Sequence, residues 1–277
     1  MQSNNPIFRR SEEFQRTGAG APVSDPSQWS VGTPGGTGYA PAPTQTGPMT
    51  IDSVVQKTAI SLAVVIASAA VTWLLTGDIT ATEVPSSLVL ALTVGSLGAF
   101  ALSMVNSFKR VVSPPLVLAF AVVEGVAIGA LSKFIDAVFA PEGSGNLVVQ
   151  AVIGTFAAFA GTLAAYKFFN IQVGTKFRKF VVAAVFGMIG LSLMEIVLSV
   201  FGSSFGLFGF GGLGILTAVA GLVLGVFMLI LDFDFVEQGI ANQIPEVESW
   251  RAAFAMTVSL VWIYTNLLRL LAIFSSD

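Results

Sequence analysis

Six of the polar or charged residues inside the long apolar runs of this sequence have a chemistry that calls for an explanation. An ionisable side chain is costly in hydrocarbon and usually faces a protein interior or a water-filled cavity. Carboxylates can exchange protons and bind cations, whereas a guanidinium can only donate hydrogen bonds. The candidates are Glu124, Glu195, Asp232, Asp234, Asn266 and Arg269.

The three carboxylates on the third and sixth runs differ in depth. Glu124 lies about ten residues into the third run, or roughly 15 Å deep at 1.5 Å per residue, which is close to the middle of a bilayer. Asp232 and Asp234 lie near the end of the sixth run. Two residues apart on a helix, they point in nearly opposite directions. We therefore expect at most one of them to face the core.

The last apolar run carries an amide and a cation. Asn266 is polar at depth and needs a hydrogen-bond partner. Arg269 lies one turn further on the same face of the helix. It could extend along its alkyl stem to the outer surface, or it could form a buried ion pair with Glu195, which has a similar depth.

The residue types that are missing exclude several function classes. The sequence contains no cysteine and no histidine, so disulfides, thiolate metal sites, zinc-dependent membrane proteases and serine–histidine proteases are excluded. An aspartyl membrane protease needs two facing aspartates, and the Gly-x-Gly-Asp motif of that class is absent. We predict a protein that is not an enzyme and has no metal site and no cofactor.

The elements that must position these residues are membrane-spanning helices. The 277 residues are 54% hydrophobic and only 10% charged, far from the quarter charged that is typical of soluble domains. A helix needs about 20 apolar residues to cross a bilayer. The sequence predicts an all-α bundle of seven transmembrane helices with the lipid bilayer as its main partner. The predicted spans are 58–76, 86–106, 114–135, 147–168, 180–201, 212–233 and 252–274.

The chain divides into two parts by composition. Residues 1–48 are rich in Gly, Pro, Ser and Thr, and such a segment buries too little apolar surface to fold. We predict a disordered tail over 1–48 and a transmembrane domain over 49–277, with Thr50 as the N-cap of the first helix. The net charge of −3 and the lack of a dense basic patch indicate no nucleic-acid partner.

The basic residues predict the orientation. Eleven of the 13 lysine and arginine residues lie on the side of the N-terminal tail, and only Lys133 and Arg269 lie on the other. Because basic loops stay in the cytoplasm, we expect a cytoplasmic N-terminus, an outer C-terminus and a location in the plasma membrane.

Three motifs together indicate a family. The run LILDFDFVEQG ends the sixth span, YTNLLRLL lies in the seventh, and VVEGVAIGALS, which contains Glu124 and Gly125, lies in the third. With the number of spans, they resemble the transmembrane Bax inhibitor motif (Bax inhibitor 1-like) family over about residues 55–275. The stretch from SEEF to TIDSVVQK resembles the tail of bacterial members.

The resemblance implies a seven-helix bundle in which an aspartate pair on helices six and seven senses protons and gates a slow leak of cations, calcium in particular. Removal from water and a second carboxylate nearby both favour a shared proton near neutral pH. The helix-six aspartate corresponds to Asp232, or in the alternative register to Asp234. The helix-seven aspartate corresponds to Asn266, whose amide cannot titrate. We therefore expect weaker or shifted pH gating, with Asp232 or Glu124 taking the proton.

A second class fits the same resemblance. The protein could be a non-conducting regulator that binds another membrane protein, such as a membrane protease or a component of a stress response. In a regulator the buried charges would be enclosed and paired, whereas in a channel they would line a wet path. A secondary transporter is disfavoured, because no inverted repeat or matched pair of broken helices is visible.

Overall fold

Seven long helices form the described part of this computed structural model, which covers residues 47–79, 84–140, 147–169, 171–209 and 211–275. All seven are long and apolar enough to cross a membrane, as the sequence predicted. Most of the predicted tail, residues 1–46, lies outside the described residues. The helices are α1 Ile51–Leu75, α2 Ser86–Phe108, α3 Pro114–Phe139, α4 Leu147–Phe168, α5 Thr175–Val200, α6 Gly212–Ala241 and α7 Ser249–Ser275.

Several helices extend beyond the spans that apolar residues alone predicted. The first helix begins at Ile51, where Thr50 accepts a hydrogen bond from the Ser53 amide and Ser53 accepts one from the Thr50 amide. This capping box confirms Thr50 as the N-cap. The sixth helix continues to Ala241, past the predicted end at residue 233. A helix does not stop where hydrocarbon stops, because its backbone hydrogen bonds continue in water.

The last helix is the centre of the bundle. α7 packs against α1, α3, α4 and α6, and half of its span is buried. Phe120 of α3 meets Phe254 with ring centroids 5.0 Å apart, and Ser132 of α3 bonds Tyr264. Residue numbers therefore rise together along both helices, and α3 runs parallel to α7. By contrast, α5 packs mainly against α6.

Glycines allow two pairs of helices to approach closely. A Cβ on Gly129 of α3 would lie 2.8 Å from Ala69 Cα of α1, which no real Cβ tolerates. A Cβ on Gly225 of α6 would lie 2.6 Å from the Ile263 side chain of α7. Gly161 of α4, in contrast, has open space where its Cβ would be. Small residues thus permit a close approach of the helices in lipid at the first two sites.

The Gly/Phe-rich stretch between the fifth and sixth spans forms a turn. Helix α5 ends at Val200 and α6 begins at Gly212. Gly202 and Gly206 have φ angles of 76° and 74°, in the left-handed region that glycine adopts without a steric penalty.

We expect Gly129→Ala to destabilise the protein by about 1–3 kcal/mol, because the added methyl group collides with the α1 backbone. Gly161→Ala is the matched control, since its methyl group enters open space and alanine favours a helix by up to about 1 kcal/mol over glycine. The measurement is the melting temperature in detergent, taken from the fraction of protein that stays soluble and monodisperse after heating. Equal melting temperatures for the two variants would contradict the close packing of α1 and α3.

Candidate functional site

Asp232 lies deep in the bundle, between α6 and α7. It is nine residues from the last residue of α6, or about 14 Å along the helix axis. Its Oδ2 accepts a hydrogen bond from the Ser259 hydroxyl of α7 at 2.6 Å, and Ser259 is only 1% exposed. The carboxylate therefore bonds directly to the central helix. The sequence predicted that Asp232 lies near the end of the sixth span, but α6 continues to Ala241, so Asp232 lies well inside the helix.

Glu124 lies at a similar depth on another side of α7. It is one turn beyond Phe120, whose ring meets Phe254 of α7, and one turn before Ile128, which packs in a cluster with Tyr264. Glu124 lies about 6 Å beyond Phe120 along α3, and Ser259 lies about 7 Å beyond Phe254 along α7. Because the two helices run parallel, Glu124 and Ser259 lie at a similar depth. Glu124 is half-buried. None of the hydrogen bonds or salt bridges of the described residues includes its carboxylate.

Asp234 points away from Asp232, as their spacing predicted. Its Oδ2 forms a salt bridge of 2.7 Å with Arg178 of α5 and accepts a bond of 2.7 Å from Gln238. Asp234 is 7% exposed. The two aspartates thus join α6 to different helices, and Asp234 is fixed by a cation and an amide.

Asn266 is not brought to Asp232. Its amide donates to the Trp262 carbonyl of its own helix at 2.8 Å, and its side chain lies against Gly221 of α6. Seven residues separate Asn266 from Ser259, or about 10 Å along α7. The position across from Asp232 is therefore Ser259, which corrects the expected pairing of Asp232 with Asn266.

The structure does not pair Glu195 with Arg269. Among the salt bridges of the described residues, none joins these two side chains. Glu195 instead accepts hydrogen bonds from the amides of Phe205 and Gly206 at 3.2 and 2.8 Å. The two amides belong to the turn between α5 and α6, so the carboxylate holds that turn against the end of α5.

Arg269 holds the same turn from the other side. Its Nη2 donates to the carbonyls of Leu207 and Gly214, each at 2.6 Å, and to the Thr217 hydroxyl at 2.6 Å. The Phe208 ring lies 5.2 Å from the guanidinium carbon, within reach of a cation–π interaction. Glu195 and Arg269 therefore both hold the backbone of the α5–α6 turn. The free amides and carbonyls of the turn supply the hydrogen bonds that a counter-ion would otherwise provide.

Sequence reasoning missed a hydroxyl pair and a carboxylate further along α3. The Ser132 hydroxyl donates to the Ile128 carbonyl at 2.6 Å, so Tyr264 is the donor in the 2.7 Å bond between the two hydroxyls. One turn beyond Ser132, the buried Oδ1 of Asp136 has no hydrogen-bond partner in the described structure. The signal available in the sequence was that Glu124, Ser132 and Asp136 are eight and four residues apart, which places them along one face of the helix.

The isolated carboxylates can exchange protons, but they do not form a preformed binding site for a metal ion. Within the described residues, no group of three acidic, histidine or cysteine side chains is arranged to hold one. Asp232 and Glu124 are separated by the backbone of α7. Any cation at this depth would contact single carboxylates together with hydroxyl and carbonyl oxygens.

Fold and site together define a multi-pass membrane protein with carboxylates inside its helix bundle. The family model described as Bax inhibitor 1 like matches residues 5–276, nearly the whole chain, and the chain belongs to that family. A comparison with curated proteins found no match.

We expect Glu195→Ala to loosen the α5–α6 turn, because the amides of Phe205 and Gly206 lose their shared acceptor, at a cost of about 1–3 kcal/mol. The measurement is hydrogen exchange in detergent micelles, in which these two amides exchange faster while those of α7 do not change. Ser199→Ala is the control, since that hydroxyl bonds only the Ile196 carbonyl of its own helix. Unchanged exchange at both amides would show that Glu195 does not hold the turn.

Proposed function

We propose that this protein is a proton-sensitive leak channel for cations, calcium in particular, and that Asp232 is its main proton sensor. The observation that carries the proposal is the 2.6 Å hydrogen bond from Ser259 to Asp232 in the middle of the bundle. Membership of the Bax inhibitor 1 like family supports it, as does the resemblance of the helix-six motif around Asp232 to that of proton-gated members.

The Ser259–Asp232 bond acts as a latch between α6 and α7. An ionised carboxylate is a strong acceptor, and hydrogen bonds to charged groups contribute about 1.5–3 kcal/mol. Protonation removes that charge and weakens the latch. Because α7 packs against most of the other helices, a shift of α6 relative to α7 opens the centre of the bundle.

Glu124 is a second carboxylate at the same level of α7, on the side that faces α3. It has no partner to neutralise it among the described residues, so it is free to attract a cation entering from either side. Calcium prefers oxygen ligands and accepts carbonyl and hydroxyl oxygens beside carboxylates. The oxygens of Glu124, Asp232 and Ser259 are of this kind, and they are placed around one level of α7.

The sensor in this chain uses one carboxylate where the family resemblance implies two. Ser259 faces Asp232, and a hydroxyl cannot share a proton as a second carboxylate does. Protonation at this site therefore occurs at one carboxylate, and no second carboxylate moves the pH response toward higher pH. Asn266 belongs to the packing between α6 and α7 and takes no part in the sensor.

The N-terminus lies in the cytoplasm and the protein in the plasma membrane under this proposal. The bias of lysine and arginine toward one set of connections supports the orientation, and resemblance of the tail to those of bacterial members supports the location. The latch then opens a route for calcium between the cytoplasm and the outside.

A second candidate is a non-conducting regulator of another membrane protein, and one observation favours it. Three of the charges in the helix bundle have partners within the protein: Asp234 with Arg178, Glu195 with backbone amides, and Arg269 with backbone carbonyls. Enclosed and paired charges are expected of a scaffold. The flux experiment below separates the two functions.

In liposomes loaded with a calcium dye, we expect Asp232→Asn to abolish the difference in calcium flux between acidic and alkaline pH. We expect Ser259→Ala to raise the flux at alkaline pH by about tenfold, the equilibrium change that corresponds to about 1.4 kcal/mol. Ser103→Ala is the control, because that exposed hydroxyl bonds only a carbonyl of its own helix. Flux no greater than that of empty liposomes for the wild type and both variants would favour the regulator.

The position facing Asp232 can be tested by adding a carboxylate to α7. We expect Ser259→Asp to move the pH at which the flux changes to a higher value, because it places a second carboxylate against Asp232 and repulsion between the two charges favours a shared proton. Asn266→Asp adds the same charge to the same helix about 10 Å away and should leave that pH unchanged. The reverse outcome would place the sensor at Asn266 and not at Ser259.

A further inference from the structure

A long cleft separates α1 from α4 and opens toward the lipid. It consists of two cavities of about 430 Å³ and about 790 Å³. Both are lined by Leu62 of α1, Phe156 of α4 and Leu260 of α7, so they meet at these three side chains. The cleft follows α1 from Ile51 to beyond Trp73, about 33 Å at 1.5 Å per residue.

The cleft is apolar along nearly all of its length. The smaller cavity, at the end near Trp73, is lined by aliphatic and aromatic side chains with only a few hydroxyls, those of Ser132, Thr155 and Tyr264. The larger cavity continues between Val55 and Phe159 with the same character. In a membrane such a surface is filled by hydrocarbon and not by water.

Charge is confined to the end of the cleft where α1 begins. Lys167 and Glu237 line the larger cavity there, and both are exposed. The Tyr166 hydroxyl donates to Oε2 of Glu237 at 2.5 Å, which fixes the carboxylate at the rim. The salt bridges of the described residues include neither Lys167 nor Glu237, so one cation and one anion are available at the same end of the cleft.

The size of the cleft decides between two kinds of apolar occupant. A transmembrane helix about 10 Å wide and about 30 Å long fills roughly 2,400 Å³. The two cavities, of about 430 Å³ and about 790 Å³, are spread over about 33 Å of α1 at 1.5 Å per residue, so the cleft is narrow for its length. A slender hydrocarbon chain fits, and its polar head would lie at the charged rim.

We propose that this cleft is a binding site for a phospholipid whose headgroup carries both a phosphate and a primary ammonium, the phosphatidylethanolamine class. The phosphate pairs with Lys167, the ammonium pairs with Glu237, and an acyl chain runs along the cleft past Leu62. A headgroup with a phosphate alone would meet the Glu237 carboxylate without a partner for it. A quaternary ammonium lacks the N–H donors that a carboxylate accepts. This site is independent of the proposed leak, because it uses neither Asp232 nor Glu124.

The test is native mass spectrometry of the full chain released from mixed micelles that contain equal amounts of phosphatidylethanolamine, phosphatidylglycerol and phosphatidylcholine. We expect the wild type to retain phosphatidylethanolamine at least several-fold over the other two. Lys167→Gln should reduce retention of phosphatidylethanolamine and phosphatidylglycerol alike. Glu237→Gln should remove the preference for phosphatidylethanolamine and leave phosphatidylglycerol bound as well or better.

A second pair of variants tests the acyl-chain position. Ala59 lines the larger cavity and is exposed, so Ala59→Trp fills the cleft from the α1 side and should lower lipid retention several-fold. Ala67→Trp adds the same ring to an exposed position of α1 that does not line the cleft and should leave retention unchanged. Equal retention of the three lipids by the wild type would overturn the proposal. So would a preference that survives both Glu237→Gln and Ala59→Trp.

Discussion

A polar side chain inside a bilayer can be satisfied only by protein or by trapped water, and this constraint explains most of the interior of the protein. Asp234 is satisfied by Arg178, Glu195 by two amides of a turn, and Arg269 by carbonyls of the same turn. Asp232 is satisfied by the single hydroxyl of Ser259. A few polar groups have no such partner and are exceptions to this constraint. Glu124 has no partner within the described residues, and the buried Oδ1 of Asp136 and the buried Nε of Arg269 have no hydrogen-bond partner there either.

The central position of α7 follows from the same constraint. This helix supplies the hydroxyls of Ser259 and Tyr264 and the guanidinium of Arg269, which serve α6, α3 and the α5–α6 turn respectively. A helix that must face several neighbours with polar groups cannot lie at the edge of the bundle. Its apolar residues then pack on the remaining sides, where glycines of α6 let the backbones approach. The packing of the bundle and the proposed gating therefore both depend on α7, because any movement of α7 disturbs the polar contacts that this helix makes.

Seven helices could be predicted from the sequence because seven apolar runs of sufficient length leave few alternatives. The opposite directions of Asp232 and Asp234 followed from helical geometry alone. What could not be predicted was the register between helices, which depends on side-chain packing across the whole bundle. Depth counted along each helix placed Glu195 near Arg269, but it could not show that backbone groups of the glycine-rich turn would satisfy both. For the same reason Ser259, an ordinary serine by sequence, was not recognised as the residue that faces Asp232.

The attachment of α5 has a consequence for how firmly this helix is held. This helix packs mainly against α6, and its buried residues are Val181 and Glu195 alone. It is fastened near its beginning by the Arg178–Asp234 salt bridge and near its end by the Glu195 contacts to the turn. Its other contacts include Phe177 and Phe180 against Phe227 of α6. Because so little of α5 is buried, it is the helix whose separation from the bundle would cost the least packing.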